Sequence, residues 1–378
     1  MLLRRFLSFS TTLNPSRLSV CPHHLSVLLL TTPSQLSNSI EHASVIVKST
    51  STTAVVACID TILGHRNAVS QLWFRNPIQI SSYLPLPEDI DNNRGLKSSF
   101  SDAAPVQLDK NWKDTSKSTQ LLIGFGSHSI QVNLANTLFS NGEQSTCFFI
   151  QPNNHPGNWI NLAEISIQLP MDEHADEDYS ITNLNKLKEL AFEDTNNPTA
   201  SLYQISSYTS NMIETINDRP AADYLINNRK IQKTKKELYL QLINQTQPEK
   251  ARPFSSLKRS PNNDMYQLVV GGLGWGEKQG MIVLDPAVGE VGHRYCRLYQ
   301  YDPSKSIQQV KSTEGQVKLR VQCSEPESGY HDYDQQDSPV PIDGVAGLGS
   351  ESGFLMDGVW HKCRGEVNEV AIKQNNKD

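Results

Sequence analysis

The apolar runs of this chain are no longer than a β-strand. The longest, Leu25–Leu30, spans six residues, whereas a helix that crosses a bilayer needs about 20 predominantly apolar residues in succession. Short apolar runs bounded by polar and turn-forming residues are typical of strands. The sequence therefore predicts a series of short buried strands and no transmembrane segment.

Helix signals lie between these runs. Thr32 precedes Pro33, and an N-cap residue followed by proline at the first helical position favours a helix start. Leu36 and Ile40 are four residues apart on the face that such a helix would bury. Strands are predicted on either side, at Leu25–Leu30, Ser44–Lys48, Ala54–Asp60 and Ser70–Phe74. The expected fold class is α/β, with mixed sheets, flanking helices and two halves.

The two halves are expected to meet near residues 165–180, where the chain becomes acidic at Asp172–Asp178. Beyond this junction, periodic apolar residues predict helices at Leu184–Glu193 and Tyr224–Ile243. The predicted organisation has four parts: a mitochondrial transit peptide at 1–22, an N-terminal α/β domain at 24–165, a C-terminal α/β domain at 180–372 and a frayed tail at 373–378.

The transit-peptide prediction follows from the composition of the N-terminus. Residues 1–40 contain neither Asp nor Glu, and Arg4, Arg5 and Arg17 are interspersed with Leu, Ser and Thr. A segment that is rich in Arg and Ser and poor in acids is typical of mitochondrial targeting, because a cationic amphipathic helix is attracted to an anionic membrane surface. The predicted location is the mitochondrion, with the matrix as compartment. An unstructured basic tail is the alternative.

Charge and cysteine spacing exclude several classes of function. A net charge of −6 argues against a general nucleic-acid binder, which needs basic residues to displace phosphate counterions. The six cysteines include no C-x-x-C pair, so the sequence predicts neither a zinc knuckle nor a dithiol redox site. No metal site is predicted, and the sequence identifies no cofactor.

The most distinctive motif is the glycine-rich segment Val269–Pro286, VVGGLGWGEKQGMIVLDP. Clustered glycines let backbone N–H groups approach an anion, but a dinucleotide fingerprint would need glycine at Glu277, and no Ser or Thr follows Lys278 as a P-loop requires. A structural loop at the end of a β-hairpin is one interpretation. The other is a ligand-lining loop, with six candidate residues: Gly272, Gly274, Trp275, Gly276, Glu277 and Lys278.

A second glycine-rich segment, Asp343–Gly353, has the sequence DGVAGLGSESG. It differs from the G-x-S-x-G nucleophile elbow because Glu351 occupies the position of the nucleophile. A serine hydrolase is therefore not indicated. The structural interpretation is a tight connection between core strands. The functional interpretation adds four candidate ligand-binding residues: Gly347, Gly349, Ser350 and Glu351.

Two segments carry a family resemblance. Asn133–Thr146 and Val269–Pro286 are similar to stretches in uncharacterised fungal proteins. The order of strands and helix over residues 24–160 resembles the N-terminal half of the FIST domain, a sensory module. The resemblance implies binding of a small ligand rather than turnover. FIST proteins of eukaryotes that carry an F-box differ, because here there is no space for one before Leu25.

Three functional hypotheses follow. The leading hypothesis is a non-catalytic protein of the mitochondrion that binds or senses a small ligand. The second is an enzyme whose site is assembled from distant residues around the glycine loops: Cys147, His128, Glu277, Lys278, Asp285, Ser350 and Glu351. Such a site requires two titratable groups within hydrogen-bonding distance in one cleft. The third is a matrix assembly factor with a protein partner that contacts Tyr224–Ile243.

Overall fold

The structure is a computed structural model that describes part of the chain. Among the residues that it describes, 59% lie in strands and 12% in helices. The described residues are 7–21, 24–85, 120–135, 146–150, 152, 160–168, 179–190, 202–226, 228, 231, 237–243, 265–271, 280–292, 294–302, 315–323 and 338–373.

Strands account for most of the secondary structure. In chain order they are β1 (Leu7–Leu13), β2 (Ser26–Thr31), β3 (Thr53–Cys58), β4 (Ala68–Phe74), β5 (Gln79–Pro85), β6 (Gln120–Phe125), β7 (His128–Asn133), β8 (Cys147–Ile150), β9 (Ile160–Gln168), β10 (Tyr179–Asn183), β11 (Leu187–Leu190), β12 (Tyr203–Thr209), β13 (Met212–Ile216), β14 (Arg219–Pro220), β15 (Leu238–Ile243), β16 (Met265–Gly271), β17 (Ile282–Leu284), β18 (Tyr295–Tyr301), β19 (Gln316–Cys323), β20 (Val340–Asp343), β21 (Val345–Ser350), β22 (Phe354–Met356), β23 (Val359–His361) and β24 (Val367–Lys373). The α-helices are α1 (Leu36–Thr50) and α2 (Asp223–Ile226), and 3₁₀ turns cover Pro33–Gln35 and Pro286–Val288.

The chain forms two compact units. Unit 1 comprises Met1–Thr182, Gln309–Asp357 and Asn368–Asp378, and unit 2 comprises Asn183–Gln308 and Gly358–Val367. The first boundary thus lies close to the predicted junction at 165–180. The predicted domain 180–372 contains residues of both units, because the chain returns to unit 1 at Gln309 and leaves it again at Gly358.

Unit 1 contains the mixed sheets that the sequence predicts. Its large sheet has the order β20-β1-β4-β2-β3-β8-β9-β6-β7-β22, with β5 also paired to β9. The pair β2–β3 is parallel, whereas β4 runs antiparallel to β2. A smaller sheet has the order β10-β24-β19-β21. Residues of both sheets, including Leu28, Phe74, Leu319 and Leu348, form one buried apolar core.

Helix α1 covers the other face of β2 and β3. It buries Leu36, Ser39, Ala43, Ile46 and Val47, a spacing of three or four residues that places them on one helical face. The strand predicted at Ser44–Lys48 is therefore wrong. Amphipathic spacing across the whole segment outweighs the strand preference of its short β-branched run. No helix among the described residues is long and apolar enough to span a membrane.

Strand β1 lies within the segment that the sequence analysis assigns to a transit peptide. It is antiparallel to β4 from Leu7 opposite Phe74 to Leu13 opposite Ala68, and it also pairs with β20. Alternation of its side chains buries Leu7 and Phe9, which are 5% and 2% exposed. Residues 7–13 therefore form an interior strand of the large sheet.

In unit 2, six strands close into a ring. Each neighbouring pair in the order β18-β12-β13-β17-β16-β15 is hydrogen bonded, and β15 pairs with β18 to complete the circuit. Leu240, Leu242, Ile282 and Leu298 belong to the apolar core of this ring. Outward-facing residues alternate with these along the same strands, so β15, β16 and β18 present a second face.

The helices predicted at Leu184–Glu193 and Tyr224–Ile243 are corrected by the structure. The first segment contains strand β11, and the second contains the short helix α2 and strand β15. Leu238 and Leu242 are four residues apart, which matches one helical turn but also two strand repeats. Residues 239–243 of β15 are buried, so they are not an exposed surface for a protein partner.

Candidate functional site

The first glycine loop lies outside the described residues. It contains Gly272, Gly274, Trp275, Gly276, Glu277 and Lys278. The strands before and after it, β16 and β17, are antiparallel, and Gly271 lies opposite Ile282 at the end from which the loop leaves. The segment between Gly271 and Gly280 therefore connects two antiparallel strands, and both interpretations of the motif stay predictions.

The second glycine segment is the buried strand β21 rather than a loop. A Cβ atom on Gly347 would lie 2.7 Å from the backbone nitrogen of Leu63, so the segment that follows β3 crosses directly over this glycine. The carbonyl of Gly349 accepts a hydrogen bond of 3.3 Å from the Thr61 amide. Gly347 therefore serves close backbone packing in unit 1, whereas Gly349 contributes a backbone hydrogen bond.

Ser350 ends β21, Glu351 follows it, and both contact polar residues that follow β3. The amide of Glu351 donates a 2.7 Å hydrogen bond to Asp60 Oδ2, and its carboxylate forms a 2.8 Å ion pair with Arg66. The Ser350 and Ser352 hydroxyls are 3.0 Å apart. Five charged or hydroxyl-bearing side chains thus meet at one edge of unit 1, with Arg66 and Glu351 each about half exposed.

Asp60 has a raised carboxyl pKa because it is largely removed from water and lies beside the negative charge of Glu351. The folded state therefore binds its proton more tightly than the unfolded state does. The tighter binding of this proton stabilises the folded state below the ordinary carboxyl pKa of about 4. The stabilisation is lost as pH rises through the pKa that Asp60 has in the folded state.

We expect Asp60→Asn to raise the melting temperature at pH 7, because it removes a charge that burial and Glu351 disfavour. An asparagine Oδ1 can still accept the Glu351 amide. The gain should shrink as pH falls towards 4, where Asp60 becomes protonated. Thermal melts at both pH values test this, with Asp343→Asn at an exposed position as control. A lower melting temperature at pH 7 would contradict the assignment.

The proposed enzyme residues lie in separate surroundings. Cys147 lies in β8, is fully buried in the unit 1 core, and burial raises its pKa to about 12, so it stays a thiol at neutral pH. Asp285 lines a cleft of unit 2. Glu277 and Lys278 lie outside the described residues. The residues of the enzyme hypothesis therefore do not form a single site within the part of the chain that the structure describes.

His128 has a carboxylate partner that the sequence analysis did not identify. Its Nδ1 lies 2.5 Å from Asp357 Oδ2, while the other Asp357 oxygen accepts the Ser129 amide at 3.0 Å. The imidazole ring is stacked on Phe125 and meets the Tyr179 ring edge-on. Because His128 and Ser129 begin β7 and Asp357 directly follows β22, the pair connects two neighbouring strand ends of unit 1.

Unit 2 has a cleft of about 190 Å³. Its walls combine aromatic rings, sulfur atoms, an amide and charges of both signs. The residues that line it are Tyr239, Met265, Tyr266, Gln267, Asp285, Trp360, Lys362 and Cys363. Concave surfaces with apolar walls and a few polar groups are the usual form of small-molecule sites.

One wall of the cleft is the outer face of the strand ring. Tyr239 on β15 lies opposite Gln267 on β16 and opposite Tyr299 on β18, so the three side chains project from the same face. Asp285 follows β17, and its amide donates to the Gln267 carbonyl at 3.0 Å. The side chains of this wall are therefore positioned by regular hydrogen-bonded strands.

The other wall is the segment 358–367. The Arg364 amide donates to the Tyr239 hydroxyl at 3.1 Å, and this hydroxyl donates to Glu237 at 2.7 Å. Gly365 has φ +83°, and a Cβ there would lie 2.8 Å from the Tyr301 ring. These contacts fix the segment against the strands, and burial together with the Glu237 bond raises the pKa of Tyr239.

Buried polar contacts hold Cys363 at the base of this segment. Its amide donates to Glu366 at 2.8 Å, and the second Glu366 oxygen lies 3.3 Å from His361 Nδ1. Cys363 packs with Tyr239 and Met265 in a small apolar cluster. On the opposite rim, Trp360 is 39% exposed, and the Lys362 ammonium lies 4.9 Å from its ring centre.

Sequence reasoning identified one of the residues that line this cleft, Asp285. The others come from three separate segments, and no local motif marks them. Among the described residues, no group of three or more His, Cys, Asp or Glu side chains could hold a metal ion. No family model matches the chain, and neither a curated protein nor a solved structure matches it.

Proposed function

We propose that the protein binds a small molecule in the cleft of unit 2 and acts as a ligand-binding or sensory protein. The observation that carries this proposal is the combination of Trp360, Tyr239, Lys362 and Asp285 around one cleft. Aromatic rings supply apolar contact area, while the two opposite charges can orient a polar ligand.

The size of the cleft indicates a small ligand. A volume of about 190 Å³ is smaller than the roughly 300–1,000 Å³ of a typical site for drug-sized compounds. A single-ring compound or a short-chain metabolite has this size. Both walls are held by the hydrogen bonds of Tyr239, so little conformational entropy would be lost on binding.

Binding rather than catalysis is also the expectation from the FIST resemblance, and the Arg-rich, acid-free N-terminus supports a mitochondrial location. Both stay predictions. The Tyr239 hydroxyl is engaged by Glu237 and Arg364, and its raised pKa makes it a poor general base at neutral pH. These contacts favour a structural role for Tyr239 in the wall of the cleft over a role as a reactive group.

A thermal-shift screen of the full chain against a metabolite library tests the proposal. A ligand at 100 times its dissociation constant stabilises the folded state by about 2.7 kcal/mol, which raises the melting temperature by several degrees. We expect Trp360→Ala to abolish the shift produced by a hit, because it removes the exposed aromatic rim of the cleft.

Ile181→Ala is the matched control. Ile181 is also 39% exposed, but it lies on β10 in unit 1. This variant should keep the full ligand-induced shift. A hit whose shift is unchanged in Trp360→Ala, or is lost equally in Ile181→Ala, would contradict the assignment of the cleft as the site.

A further inference from the structure

Gln241 is a fully buried side chain with an unused hydrogen-bond donor. It is 0% exposed on β15, and its Oε1 accepts a 3.2 Å hydrogen bond from the Tyr299 hydroxyl. Within the described part of the chain, its Nε2 has no hydrogen-bond acceptor. A buried amide donor without an acceptor is costly and rare in folded proteins.

The position of Gln241 connects it to the cleft. Strand alternation places Gln241 on the same face as Tyr239, and its register partner on β16 is Met265. Both neighbours line the cleft. Met265 is unbranched and adopts several rotamers at low cost, so its displacement by a bound molecule would open a path from the cleft towards the neighbouring Gln241 amide.

The surroundings of this amide include two cationic side chains, one of which has a carboxylate beside it. Arg297, 2% exposed, is the register partner of Gln241 on β18. Its Nε lies 3.9 Å from Glu189, and Lys362 adds a second positive charge at the rim of the cleft. The negative Asp285 lies beside Gln267, one strand repeat of roughly 7 Å beyond Met265.

We propose that the cleft binds a small aromatic carboxylate whose carboxylate accepts a hydrogen bond from Gln241 Nε2. This inference rests on the proposed function and adds the chemical class of the ligand. The ring lies against Tyr239 and Trp360, and a donor at the opposite end of the ring faces Asp285. Gln241 is then a specificity residue, kept at the expense of stability in the unliganded protein.

Two probes test the carboxylate contact. The first is 4-hydroxybenzoate, which has a carboxylate and a hydroxyl at opposite ends of one ring. The second is 4-methylphenol, which replaces the carboxylate with a methyl group. By calorimetric titration, we expect the wild-type chain to bind 4-hydroxybenzoate at least about tenfold more tightly, the effect of one hydrogen bond to a charged group.

We expect Gln241→Met to reduce this preference to less than about threefold, because the variant removes the donor but keeps side-chain length. In the unliganded variant the unsatisfied amide is gone but the Tyr299 hydroxyl loses this acceptor, so we expect the melting temperature to change little. Lys362→Met, at an exposed position, is a second variant that should also weaken the preference without affecting folding.

The outcomes separate the two proposals. If 4-hydroxybenzoate and 4-methylphenol bind equally well and both depend on Trp360, the cleft binds small molecules but the carboxylate inference is wrong. A preference that Gln241→Met leaves unchanged also overturns it. If neither probe nor any metabolite binds in a way that depends on Trp360, the proposed function fails as well.

Discussion

A chain that begins at residue 23 is expected to lose the cooperative thermal transition of unit 1. The deletion removes β1, which fills the position between β4 and β20 and pairs with β4 over seven residues. Without it, β4 would expose unpaired backbone groups, β20 would lose its neighbour in the sheet, and the apolar core would lose Leu7 and Phe9. Circular dichroism melts of the full and shortened chains measure the effect.

Phe9→Ala tests the same strand without a deletion. Phe9 is 2% exposed and meets Phe74 edge-on at 6.2 Å between ring centres, so the substitution should cost about 3–5 kcal/mol. Val20→Ala, in the same segment but 45% exposed, should change stability by less than about 0.5 kcal/mol. A shortened chain as stable as the full one would contradict the role of β1.

This result bears directly on the transit-peptide prediction. Cleavage after residue 22, where the predicted transit peptide ends, would remove β1 from the mature protein, whereas β1 needs residues 7–13 to pair with β4. Removal of a transit peptide requires these residues to be cleaved off, whereas the fold requires them to be retained. Mass spectrometry of the N-terminus of the native protein would show whether they are present.

The second large effect is expected for Gly347→Val. A side chain at this position would lie 2.7 Å from the Leu63 nitrogen and 2.8 Å from its Cγ, so a backbone segment would have to move. Overpacking of a rigid core site costs about 3 kcal/mol. We expect a lower melting temperature, with binding of a cleft ligand unaffected in the molecules that remain folded.

Gly124→Ala is the control for this prediction. Gly124 also lies inside a unit 1 strand, but the atoms that a Cβ would meet belong to the end of the Gln168 side chain, which can turn away. Its effect should be well below that of Gly347→Val. If Gly347→Val abolished ligand binding while leaving stability intact, the glycine segment would be a binding element rather than a packing element.

The elements that could be predicted from the sequence are formed by short apolar runs that fit a strand only. The strands predicted at Leu25–Leu30, Ala54–Asp60 and Ser70–Phe74 correspond to β2, β3 and β4, with shifts of one or two residues at their ends. By contrast, β15 is buried on both faces, so its apolar residues fit a helical and a strand period equally well. Tertiary pairing with β16 and β18 decides between them.

The cleft could not be predicted because its residues are brought together only by the ring closure of unit 2. Tyr239 and Trp360 are more than 100 positions apart in the chain, and neither belongs to a chemical motif. The sequence predicted ligand-binding residues in the glycine motifs instead, although Gly347 has a packing role. The unused donor of Gln241 is likewise invisible in the sequence, since it depends on burial and on the Tyr299 hydrogen bond.

Hydrogen–deuterium exchange with a ligand from the screen tests the central claim most directly, because it compares the cleft and the second glycine segment in one experiment. Bound ligand should slow exchange in peptides that cover residues 358–367 and 265–267, since it restricts the opening of both walls. Peptides that cover 345–351 in unit 1 should be unchanged. Protection confined to 345–351, with no change in 358–367, would contradict the account.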